Sequence, residues 1–440
     1  MMKVKKINRE YIDLILNNQD KYIKDYGPTM EKVANSNAQY GGKSIPTIYH
    51  PYFVTEDNIN DFQKISNRMI SIGDKIIDEY IRNKEFRKKF GFPKWIEDLI
   101  EVDIGYDINV PMGRFDIFYK DYENFMFCEL NTDGSSAMGE DNELAKVILK
   151  SQGLTDFENK YKLDYFELFD SWVDKSIEIF NKYDPENKSP NVAIVDFKES
   201  RNDLEFQEFK KSYLNKGYNC IIVDPRDVEY KDGSLYHEDY KIDLVYRRLV
   251  TFELINKADE IPDFIEAYRK KAFCSIGSLK SQVVHNKIFF KVLHDLDTLE
   301  ILSPEEREFV KKHIPYTGIF GGDEESFKKV LNGKDKYIMK PMDLNASQGV
   351  YAGRDLSKEE WEKRLLKSWN KEYLYQEYCD PYERDFLILK DEEFSVESFG
   401  SILGLYVYGE ELAGVYSRIG QESIIAGVVE YYTLPSILVK

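Results

Sequence analysis

The sequence predicts a protein of mixed α/β and α+β class, and three stretches of the chain carry that prediction. Residues 1–100 read mostly as helix, residues 191–250 alternate strand, helix and strand, and residues 280–440 mix both kinds of element. Strand–helix–strand order at this spacing implies a parallel sheet with right-handed crossovers. At about 150 residues per domain, the length of 440 residues corresponds to two or three packed units.

The clearest helix is predicted over residues 60–85, where apolar residues recur at the spacing of one helical face. Gly73 lies inside this run and lowers its helix propensity by about 1 kcal/mol relative to alanine. The apolar positions are Phe62, Ile65, Met69, Ile70, Ile72, Ile76, Ile77, Tyr80 and Ile81.

Between residues 143 and 250, the pattern predicts a helical stretch, a linker and a small Rossmann-like α/β unit. Residues 143–180 have helical character, and the Pro-, Asn- and Lys-rich residues 183–190 are typical of a linker. No GxGxxG follows the first strand of the α/β unit, so a dinucleotide fingerprint is absent. The unit is predicted from strands at 191–196, 220–224 and 243–246 and a helix at 204–214. Four regions are therefore predicted, with bounds 1–104, 105–185, 186–280 and 281–440.

The charge balance excludes one class of partner. The chain has 61 Lys and Arg against 79 Asp and Glu, a formal net charge of −18. A nucleic-acid binder needs a basic face, so we expect no nucleic-acid partner. A small anion in a local basic pocket stays compatible with this charge, and an acidic field attracts cationic substrates.

The cysteines and the N-terminus indicate a cytoplasmic protein. Cys128, Cys220, Cys274 and Cys379 lie far apart without a CxxC pair, which is typical of reduced thiols rather than a zinc or dithiol site. Residues 1–16 carry charges throughout and lack the apolar stretch of a signal peptide. No apolar run approaches the roughly 20 residues that span a bilayer, so we expect no membrane association.

The most informative motif is a predicted β-hairpin over residues 113–131. Its turn is expected at residues 121–124, with Lys120 opposite Phe125. This register places Asp116 opposite Glu129 and Arg114 opposite Asn131, on one face of the ribbon. The other face is expected to belong to the core and carries Phe115, Ile117, Cys128 and Leu130.

Two carboxylates directly opposite each other repel unless a positive group lies between them. Mg²⁺ takes oxygen ligands, usually one or two carboxylates plus substrate phosphates, and Arg114 would suit a phosphate oxygen. A solvated face with a cross-strand Arg–carboxylate pair explains the same spacing equally well. The polar turn that follows, residues 132–136, offers N–H and hydroxyl groups to an anion, although an ordinary loop has the same composition.

Two lysines and an arginine in the C-terminal half are candidate phosphate contacts. Lys340 lies within an apolar strand predicted at 336–342, where an ammonium must reach water or meet an anion. Lys287 lies in a predicted helix at 281–293, where a surface lysine is the alternative. Arg418 follows another strand and is either a phosphate contact or a surface arginine.

The strand predicted at 373–378 ends in polar residues whose backbone could pair with an adenine edge, although the pattern also describes an ordinary strand. The loop after Lys340 could fold over phosphates, but it has a single glycine.

Taken together, these segments resemble the ATP-grasp superfamily, and most closely its circularly permuted branch, typified by the synthetase domain of glutathionylspermidine synthase. In that branch, an Arg-x-Asp motif and a Glu-x-Asn motif precede the nucleotide-binding lysines, as they do here. Two features differ. The loop after Lys340 is poor in glycine and has Asn345 or its neighbours where a basic residue is common, and no cysteine precedes Cys128, so amidase activity is not expected. The matching motifs follow in family order from Arg114, Asp116, Glu129, Asn131, Ser135 and Ser136 through residues 245–253, Asn286, Lys287, Lys340, Gln376 and Glu377 to Arg418 and Gly427.

The resemblance implies a circularly permuted ATP-grasp fold with a pre-ATP-grasp unit, and an ATP-dependent carboxylate–amine ligase that uses ATP and Mg²⁺. It implies that an acyl phosphate and ADP form first and that an amine then displaces phosphate to give an amide. The partners would be a small-molecule or peptide carboxylate and an amine, for which a cation such as a polyamine is compatible with the acidic chain; an oligomer is also compatible. The implied roles are Mg²⁺ ligation by Asp116, Glu129 and Asn131, transfer of the phosphoryl group at Arg114, phosphate binding by Lys287, Lys340 and Arg418, adenine binding by Gln376, Glu377 and Tyr378, and acyl-group contact by Ser135 and Ser136.

Three other functions stay open at this point. An ATP-dependent phosphotransferase would use the same hairpin and stop at a phosphorylated product. A nucleotide-binding module without catalysis would bind ATP and turn over no acceptor. An acidic scaffold with a salt-bridged hairpin would bind no nucleotide at all.

Overall fold

The computed structural model describes residues 2–342, 348–425 and 431–440, and the strands in that part of the chain form six sheets. The helices are α1 (Met2–Leu16), α2 (Gln19–Ala34), α3 (Glu56–Arg82), α4 (Lys84–Arg87), α5 (Lys94–Ile100), α6 (Met138–Ile148), α7 (Gln152–Phe157), α8 (Asp170–Tyr183), α9 (Asp203–Asn215), α10 (Thr251–Asn256), α11 (Pro262–Arg269), α12 (Gln282–His285), α13 (Ile288–Leu293), α14 (Leu296–Ile301), α15 (Pro304–His313), α16 (Glu324–Asn332) and α17 (Lys358–Ser368). The strands are β1 (Gln39–Tyr40), β2 (Lys43–Ser44), β3 (Tyr52–Thr55), β4 (Met112–Asp121), β5 (Asn124–Asn131), β6 (Leu163–Tyr165), β7 (Val192–Val195), β8 (Cys220–Val223), β9 (Glu229–Lys231), β10 (Ser234–His237), β11 (Tyr240–Ile242), β12 (Leu244–Arg247), β13 (Cys274–Ile276), β14 (Thr317–Ile319), β15 (Tyr337–Pro341), β16 (Tyr351–Ala352), β17 (Tyr373–Glu377), β18 (Tyr382–Lys390), β19 (Glu393–Tyr408), β20 (Glu411–Gly420), β21 (Tyr432–Leu434) and β22 (Ser436–Val439).

A six-stranded antiparallel sheet, here called the central sheet, carries the predicted hairpin. Its strands lie in the order β21-β20-β19-β4-β5. The long strand β19 pairs with β18 over its first half and with β4 over its second half. The hairpin of β4 and β5 is therefore tied to strands almost 300 residues further along the chain.

The predicted α/β unit is present as a parallel sheet with the strand order β13-β12-β7-β8. The three predicted strands correspond to β7, β8 and β12, and the predicted helix to α9. A small antiparallel sheet, β9 to β11, is inserted between β8 and β12 and was not predicted. Its short strands lack a clear apolar alternation.

A second four-stranded sheet is antiparallel, with the strand order β14-β17-β15-β16, and contains the two strands predicted around Lys340 and Gln376. A three-stranded sheet joins distant parts of the chain, because β22 pairs in parallel with β3 and antiparallel with β6.

Helix α3 confirms the predicted amphipathic helix but begins at Glu56, before residue 60. Thr55 and Asn58 form a capping box there, which satisfies N–H groups of the first turn. Gly73 is buried inside α3, and a Cβ at this position would lie 3.2 Å from Cγ1 of Val284. The glycine therefore lets α12 pack closely against α3.

Two predicted helical stretches are interrupted. Residues 143–180 form α6, α7, β6 and α8 rather than helix throughout, because β6 pairs with β22 from the far end of the chain. Residues 281–293 form α12 and α13 with a break at Asn286 and Lys287. The local sequence pattern indicates neither the pairing of β6 with β22 nor the break between α12 and α13.

One apolar core joins α3, the central sheet and the parallel sheet, with Ile72, Ile117, Leu403 and Val245 among its members. These elements therefore hold the hairpin from several sides. Among the described residues, none of the helices has both the length and the apolar character needed to cross a bilayer.

Candidate active site

The hairpin has the register that the sequence predicts at its polar positions. Arg114 pairs with Asn131, Phe115 with Leu130, and Asp116 with Glu129. Because side chains alternate along a strand, the four polar side chains share one face of the central sheet.

Nearer the turn, the predicted register is wrong by one residue. The turn consists of Tyr122 and Glu123, and Tyr119 rather than Lys120 lies opposite Phe125. The register shifts at two unpaired residues, Cys128 on β5 and Lys120 on β4, so the stretch between them is offset by one residue and Asp121 again pairs with Asn124. Cys128 was expected in the core; instead it lines a cavity together with Glu129.

Asp116 is fully buried and is held by two guanidinium groups. Arg114 donates to its two carboxylate oxygens at 2.8 and 3.1 Å, and Arg418 Nη2 donates to Oδ2 at 2.7 Å. Gly404 of β19 lies opposite Asp116, and a Cβ there would come within 2.9 Å of Asp116 Oδ1 and 2.6 Å of Arg114 Cδ. The alternatives of a solvated hairpin face and a surface Arg418 are therefore wrong, since this ion-pair cluster is buried.

Glu129 is held in its ionised form by the cations around it. Burial alone would raise its pKa, but the charges of Lys287, Lys340 and Arg114 outweigh this and lower the pKa to about 2. Lys287 Nζ lies 3.8 Å from Glu129 Oε2, and Asn131 Nδ2 donates to Glu129 Oε1 at 3.3 Å. Glu129 therefore presents an ionised carboxylate opposite Asp116, and Asn131 contacts that carboxylate through its amide nitrogen.

Lys287 reaches this cluster because the helix breaks at its position. Asn286 Oδ1 accepts from the Ile288 N–H at 3.0 Å, which starts α13. The Lys287 N–H donates to the Met342 carbonyl at 3.2 Å and so ties the break to the end of β15. The alternative of a surface lysine on a continuous helix is wrong, because the Lys287 side chain is 14% exposed and lines the cavity.

Lys340 approaches from the facing sheet. It is 6% exposed, and its Nζ donates to the Cys128 carbonyl at 3.1 Å. No carboxylate among the described residues lies within salt-bridge distance of this ammonium. The bulge at Cys128 therefore places two acceptors near this ammonium, the Cys128 carbonyl and, at 4.0 Å, the Cys128 sulfur.

A cavity of about 70 Å³ lies between the central sheet and the β14–β17 sheet. Its walls combine apolar groups such as Ile338 and Ile402 with a few charged ones, which is typical of ligand sites. Val350 and Ile425 line it. Residues 343–347 and 426–430, which lie near these two residues in the sequence, are outside the described part of the chain. The expectations for Asn345 and Gly427 fall on those residues. The polar lining consists of Cys128, Glu129, Lys287, Lys340, Gln376, Glu377, Tyr378, Cys379, Arg418 and Ser423.

The strand end predicted to bind adenine lies at this cavity, but its backbone is partly occupied. The Glu377 N–H donates to the Tyr316 carbonyl and the Tyr378 N–H to the Lys336 carbonyl, at 2.9 and 2.8 Å. Gln376 is buried and donates to Thr317 Oγ1 at 3.0 Å. These two N–H groups are therefore already paired and are not available to an adenine edge.

The polar turn after the hairpin is rigid. Ser135 is buried and its hydroxyl donates to the Asn131 carbonyl, while Ser136 is exposed and its carbonyl accepts from Arg114 Nη1 at 3.1 Å. Gly134 has φ +66°, and a Cβ there would clash with the Arg248 carbonyl at 2.5 Å; Ala137 also has a positive φ, of 78°. The Ser136 side chain is thus the one of the two that faces solvent.

Sequence reasoning missed Glu140 and Tyr416. The Tyr416 hydroxyl donates to Glu140 Oε2 at 2.6 Å, and its ring lies 5.3 and 5.4 Å from the guanidinium groups of Arg114 and Arg418. Burial raises the pKa of Glu140 to about 7. The available signal was weak: Tyr416 shares a strand face with Arg418, and Glu140 follows the serine turn at the start of a helix.

The chemistry of the cluster fits an anion and a hard cation. Four cationic side chains, Arg114, Arg418, Lys287 and Lys340, surround two carboxylates, and Arg418 Nε is buried without a hydrogen-bond partner among the described residues. A phosphate oxygen would satisfy such a donor. Asp116, Glu129 and Asn131 offer the oxygen ligands that Mg²⁺ prefers. In the described part of the chain there is no group of three His, Cys, Asp or Glu side chains that could hold a metal, so a metal bound here would need the Asn131 amide as a third ligand.

The fold and this hairpin define a circularly permuted ATP-grasp protein with a pre-ATP-grasp unit. A profile described as the pre-ATP-grasp domain of glutathionylspermidine synthase matches residues 17–298, more than half of the chain. The chain therefore belongs to the glutathionylspermidine synthase pre-ATP-grasp family, as its motifs predict.

Two solved structures resemble the chain more distantly. One is a protein of Methylobacillus flagellatus KT with a provisional assignment as a gamma-glutamylcysteine synthetase; it is 12% identical, with a TM-score of 0.43, over 87% of this chain and 89% of that chain. The other is D-alanyl-alanine synthetase A of Vibrio cholerae O1 biovar eltor, 12% identical with a TM-score of 0.29, over 52% of this chain and 88% of that chain. Neither similarity is close enough to carry an argument. No curated protein sequence matches the chain significantly.

Proposed function

We propose that this protein is an ATP-dependent carboxylate–amine ligase that releases ADP and phosphate. The observation that carries the proposal is the hairpin register, which sets Asp116 opposite Glu129 beside Arg114 and Arg418. Lys287 and Lys340 reach the same cavity from two other elements. Membership of the glutathionylspermidine synthase family supports the same reaction class.

The proposed ligands of Mg²⁺ are Asp116, Glu129 and Asn131, and the bound ion would neutralise phosphate charge. Lys287 and Lys340 are proposed to bind the α- and β-phosphates of ATP. Gln376, Glu377 and Tyr378 are proposed to border the adenine, with carbonyl oxygens as its polar contacts. Phosphoryl transfer requires positioning and charge stabilisation rather than a protein nucleophile, which matches this set of residues.

In the first proposed step, an oxygen of the substrate carboxylate attacks the γ-phosphorus. The new O–P bond forms as the bond between the γ-phosphorus and the bridging oxygen breaks, and ADP leaves. Arg114 and Arg418 stabilise the charge that develops on the transferred group. To do so, they would exchange part of their contact with Asp116 for the phosphoryl oxygens.

In the second proposed step, the amine nitrogen attacks the acyl carbon, the C–O bond to phosphate breaks, and the nitrogen loses a proton. The exposed Ser136 and the turn of Ser135 are proposed to border the acyl group. The acyl donor is proposed to be a small molecule or peptide with a free carboxylate. A cationic amine suits the net charge of −18.

The first experiment replaces the unknown amine by hydroxylamine, which traps an acyl phosphate as a stable hydroxamate. Purified wild-type protein is incubated with Mg²⁺, ATP and a panel of carboxylates, and both ADP and hydroxamate are measured. A ligase gives both products in equal amounts. A phosphotransferase gives ADP with a phosphate ester and no hydroxamate, and a binding module gives neither.

Glu129→Gln is the matched test of the site, because it removes one charge from the proposed metal ligands at constant size. Ligand at about 100 times its dissociation constant adds about 2.7 kcal/mol to the free energy of unfolding, so Mg²⁺–ATP should raise the melting temperature of the wild type clearly. In Glu129→Gln we expect a smaller Mg²⁺-dependent rise and a turnover lower by about two orders of magnitude.

The control variant is Glu123→Gln, which changes an exposed carboxylate in the turn of the same hairpin. It should behave like the wild type in both assays. Normal ATP turnover by Glu129→Gln with a confirmed substrate would refute the metal assignment, and the absence of any nucleotide-dependent shift in the wild type would refute the proposed function.

A further inference from the structure

A second and larger cavity lies on the opposite face of the central sheet from the candidate active site. It has a volume of about 390 Å³, within the range of small-molecule sites. Phe118 and Ile402 line the active-site cavity, whereas their chain neighbours Tyr119 and Ser401 line the second one. Because successive side chains of a strand point to opposite faces, β4 and β19 separate the two cavities.

The lining of this second cavity is rich in cations, in contrast to the acidic chain as a whole. Helix α1 contributes Lys5 and Arg9, β4 contributes Lys120, and β18 contributes Arg384. Two acids of β18 also line it, but neither is within salt-bridge distance of a basic group among the described residues. The full lining is Val4, Lys5, Asn8, Arg9, Ile12, Tyr119, Lys120, Tyr382, Glu383, Arg384, Asp385 and Ser401.

Arg384 has the least satisfied charge in this cavity. Its guanidinium lies over the Tyr52 ring at 4.1 Å from the ring centroid, and its buried Nη1 has no hydrogen-bond partner among the described residues. Within the described residues it forms no ion pair either. Burial and, to a smaller extent, the positive charge of Arg384 lower the pKa of the neighbouring His50 to about 3, so His50 adds no positive charge beside Arg384 at neutral pH.

A buried guanidinium donor without a partner is costly, and a planar oxyanion is the group that satisfies it best. Lys5 and Lys120 are exposed, and no ion pair within the described residues involves them, so they can add charge at the cavity mouth. The Tyr52 ring covers one face of the guanidinium, so a planar oxyanion would approach Arg384 through its edge.

We propose that this cavity binds a small molecule through an oxyanion group, a carboxylate or a phosphate, with Arg384 as its anchor and Lys5 and Lys120 as accessory cations. The site is separate from the proposed nucleotide site and does not depend on the proposed ligase activity. A ligand in this cavity would contact the face of β4 that is opposite to the face carrying Asp116.

The test titrates the full-length protein with inorganic phosphate and, separately, with succinate, at an ionic strength held constant with sodium chloride. The melting temperature is recorded at each concentration. Phosphate also stabilises proteins generally, without saturation, so only the saturating part of the rise counts as binding. The anion that saturates at the lower concentration identifies the preferred oxyanion.

The wild type should show a saturating rise at millimolar anion, and Arg384→Gln should weaken that binding by about tenfold or more. Lys340→Met, which alters the nucleotide site, should keep the saturating rise. If Arg384→Gln does not fold, the double variant of Lys5→Ala and Lys120→Ala serves instead and should weaken binding several-fold. A saturating rise that persists unchanged in these variants, that disappears in Lys340→Met, or that is absent from the wild type with both anions overturns the proposal.

Discussion

The charges of the active-site cluster balance one another only in part. Asp116 has two arginines, whereas Lys340 is buried against a carbonyl oxygen and lacks a carboxylate partner among the described residues. Taking an ammonium out of water is costly when it gains only a neutral acceptor. The folded protein therefore holds at Lys340 a charge that one carbonyl oxygen and the attraction to Glu129 stabilise only in part, as expected of a residue that binds a ligand anion.

This imbalance predicts that Lys340→Met separates stability from binding. Without ligand, the free energy of unfolding should stay within about 1 kcal/mol of the wild type or rise, because the cost of a desolvated charge is removed together with one hydrogen bond and the attraction to Glu129. The stabilisation by Mg²⁺–ATP should fall by at least about 1.4 kcal/mol, a tenfold loss of affinity. Urea unfolding with and without nucleotide measures both quantities.

Lys328→Met is the control for this experiment, because Lys328 lies exposed on α16 with one ion pair to Glu324. It should alter neither quantity. A large loss of ligand-free stability in Lys340→Met, with unchanged nucleotide stabilisation, would show that the lysine is structural.

Among the elements, α6 is unusual because two acids in its first turn are buried. Carboxylates at a helix N-terminus are normally favourable in their charged form. Here burial outweighs that effect and raises the pKa of Glu140 to about 7 and of Asp141 to about 8. Asp141 Oδ1 accepts from the Ser436 N–H at 3.1 Å, whereas the buried Oδ2 has no hydrogen-bond partner in the part of the chain that the structure describes.

The raised pKa of Asp141 predicts a stability that falls with pH. Between its unfolded pKa, near 4, and its folded pKa, about 8, the folded state binds more protons than the unfolded state, so raising the pH favours unfolding. Asp141→Asn removes this term while its side-chain carbonyl can still accept from Ser436. Between pH 5 and pH 8, the difference in the free energy of unfolding between the variant and the wild type should shift in favour of the variant by more than about 1 kcal/mol.

Urea unfolding at several pH values measures that difference. Asp98→Asn, at an exposed position of α5, is the matched control. Its free energy of unfolding should change with pH in the same way as that of the wild type. Parallel curves for Asp141→Asn as well would mean that Asp141 is ionised in the folded protein at neutral pH.

At the scale of the whole molecule, distant segments of the chain hold one another in place. Strand β22 lies between β3 and β6, so residues 52–55, 163–165 and 436–439 form one sheet. The N-terminal helices also contact the central sheet directly. Asn8 donates to the Asp385 carbonyl at 2.9 Å, and Gln19 accepts from the Phe394 N–H at 2.8 Å.

Deletion of residues 435–440 should therefore destabilise the whole protein rather than fray one end. The deletion removes the middle strand of this sheet and the buried side chains of Ile437, Leu438 and Val439. Burial of each such side chain contributes about 1.5–3 kcal/mol, so the loss should amount to several kcal/mol. Circular dichroism during thermal unfolding should show a lower melting temperature or the loss of a cooperative transition.

Lys440→Ala is the control for this deletion, since Lys440 forms a surface ion pair with Asp164 that contributes little. A deletion variant with the melting temperature of Lys440→Ala would show that β22 is dispensable.

The sequence by itself determined the elements whose signals are local. The apolar period of α3, the strand–helix–strand order of β7, α9 and β8, and the pairing of Asp116 with Glu129 all follow from spacings within about 30 residues. A hairpin brings its two strands together through its own turn, so alternation along the strands was enough to place the polar cluster. The family was indicated by the resemblance of motifs that follow in order from Arg114 to Gly427.

Only the tertiary structure decided which charges meet and which are buried. Arg418 bonds to Asp116 across 302 residues, and Lys340 bonds to the Cys128 carbonyl across 212 residues. The bulge at Cys128, the helix break at Lys287 and the pairing of β6 with β22 likewise arise where distant elements pack together. Packing of this kind depends on the shapes and charges of both partners, which no local pattern in either segment records.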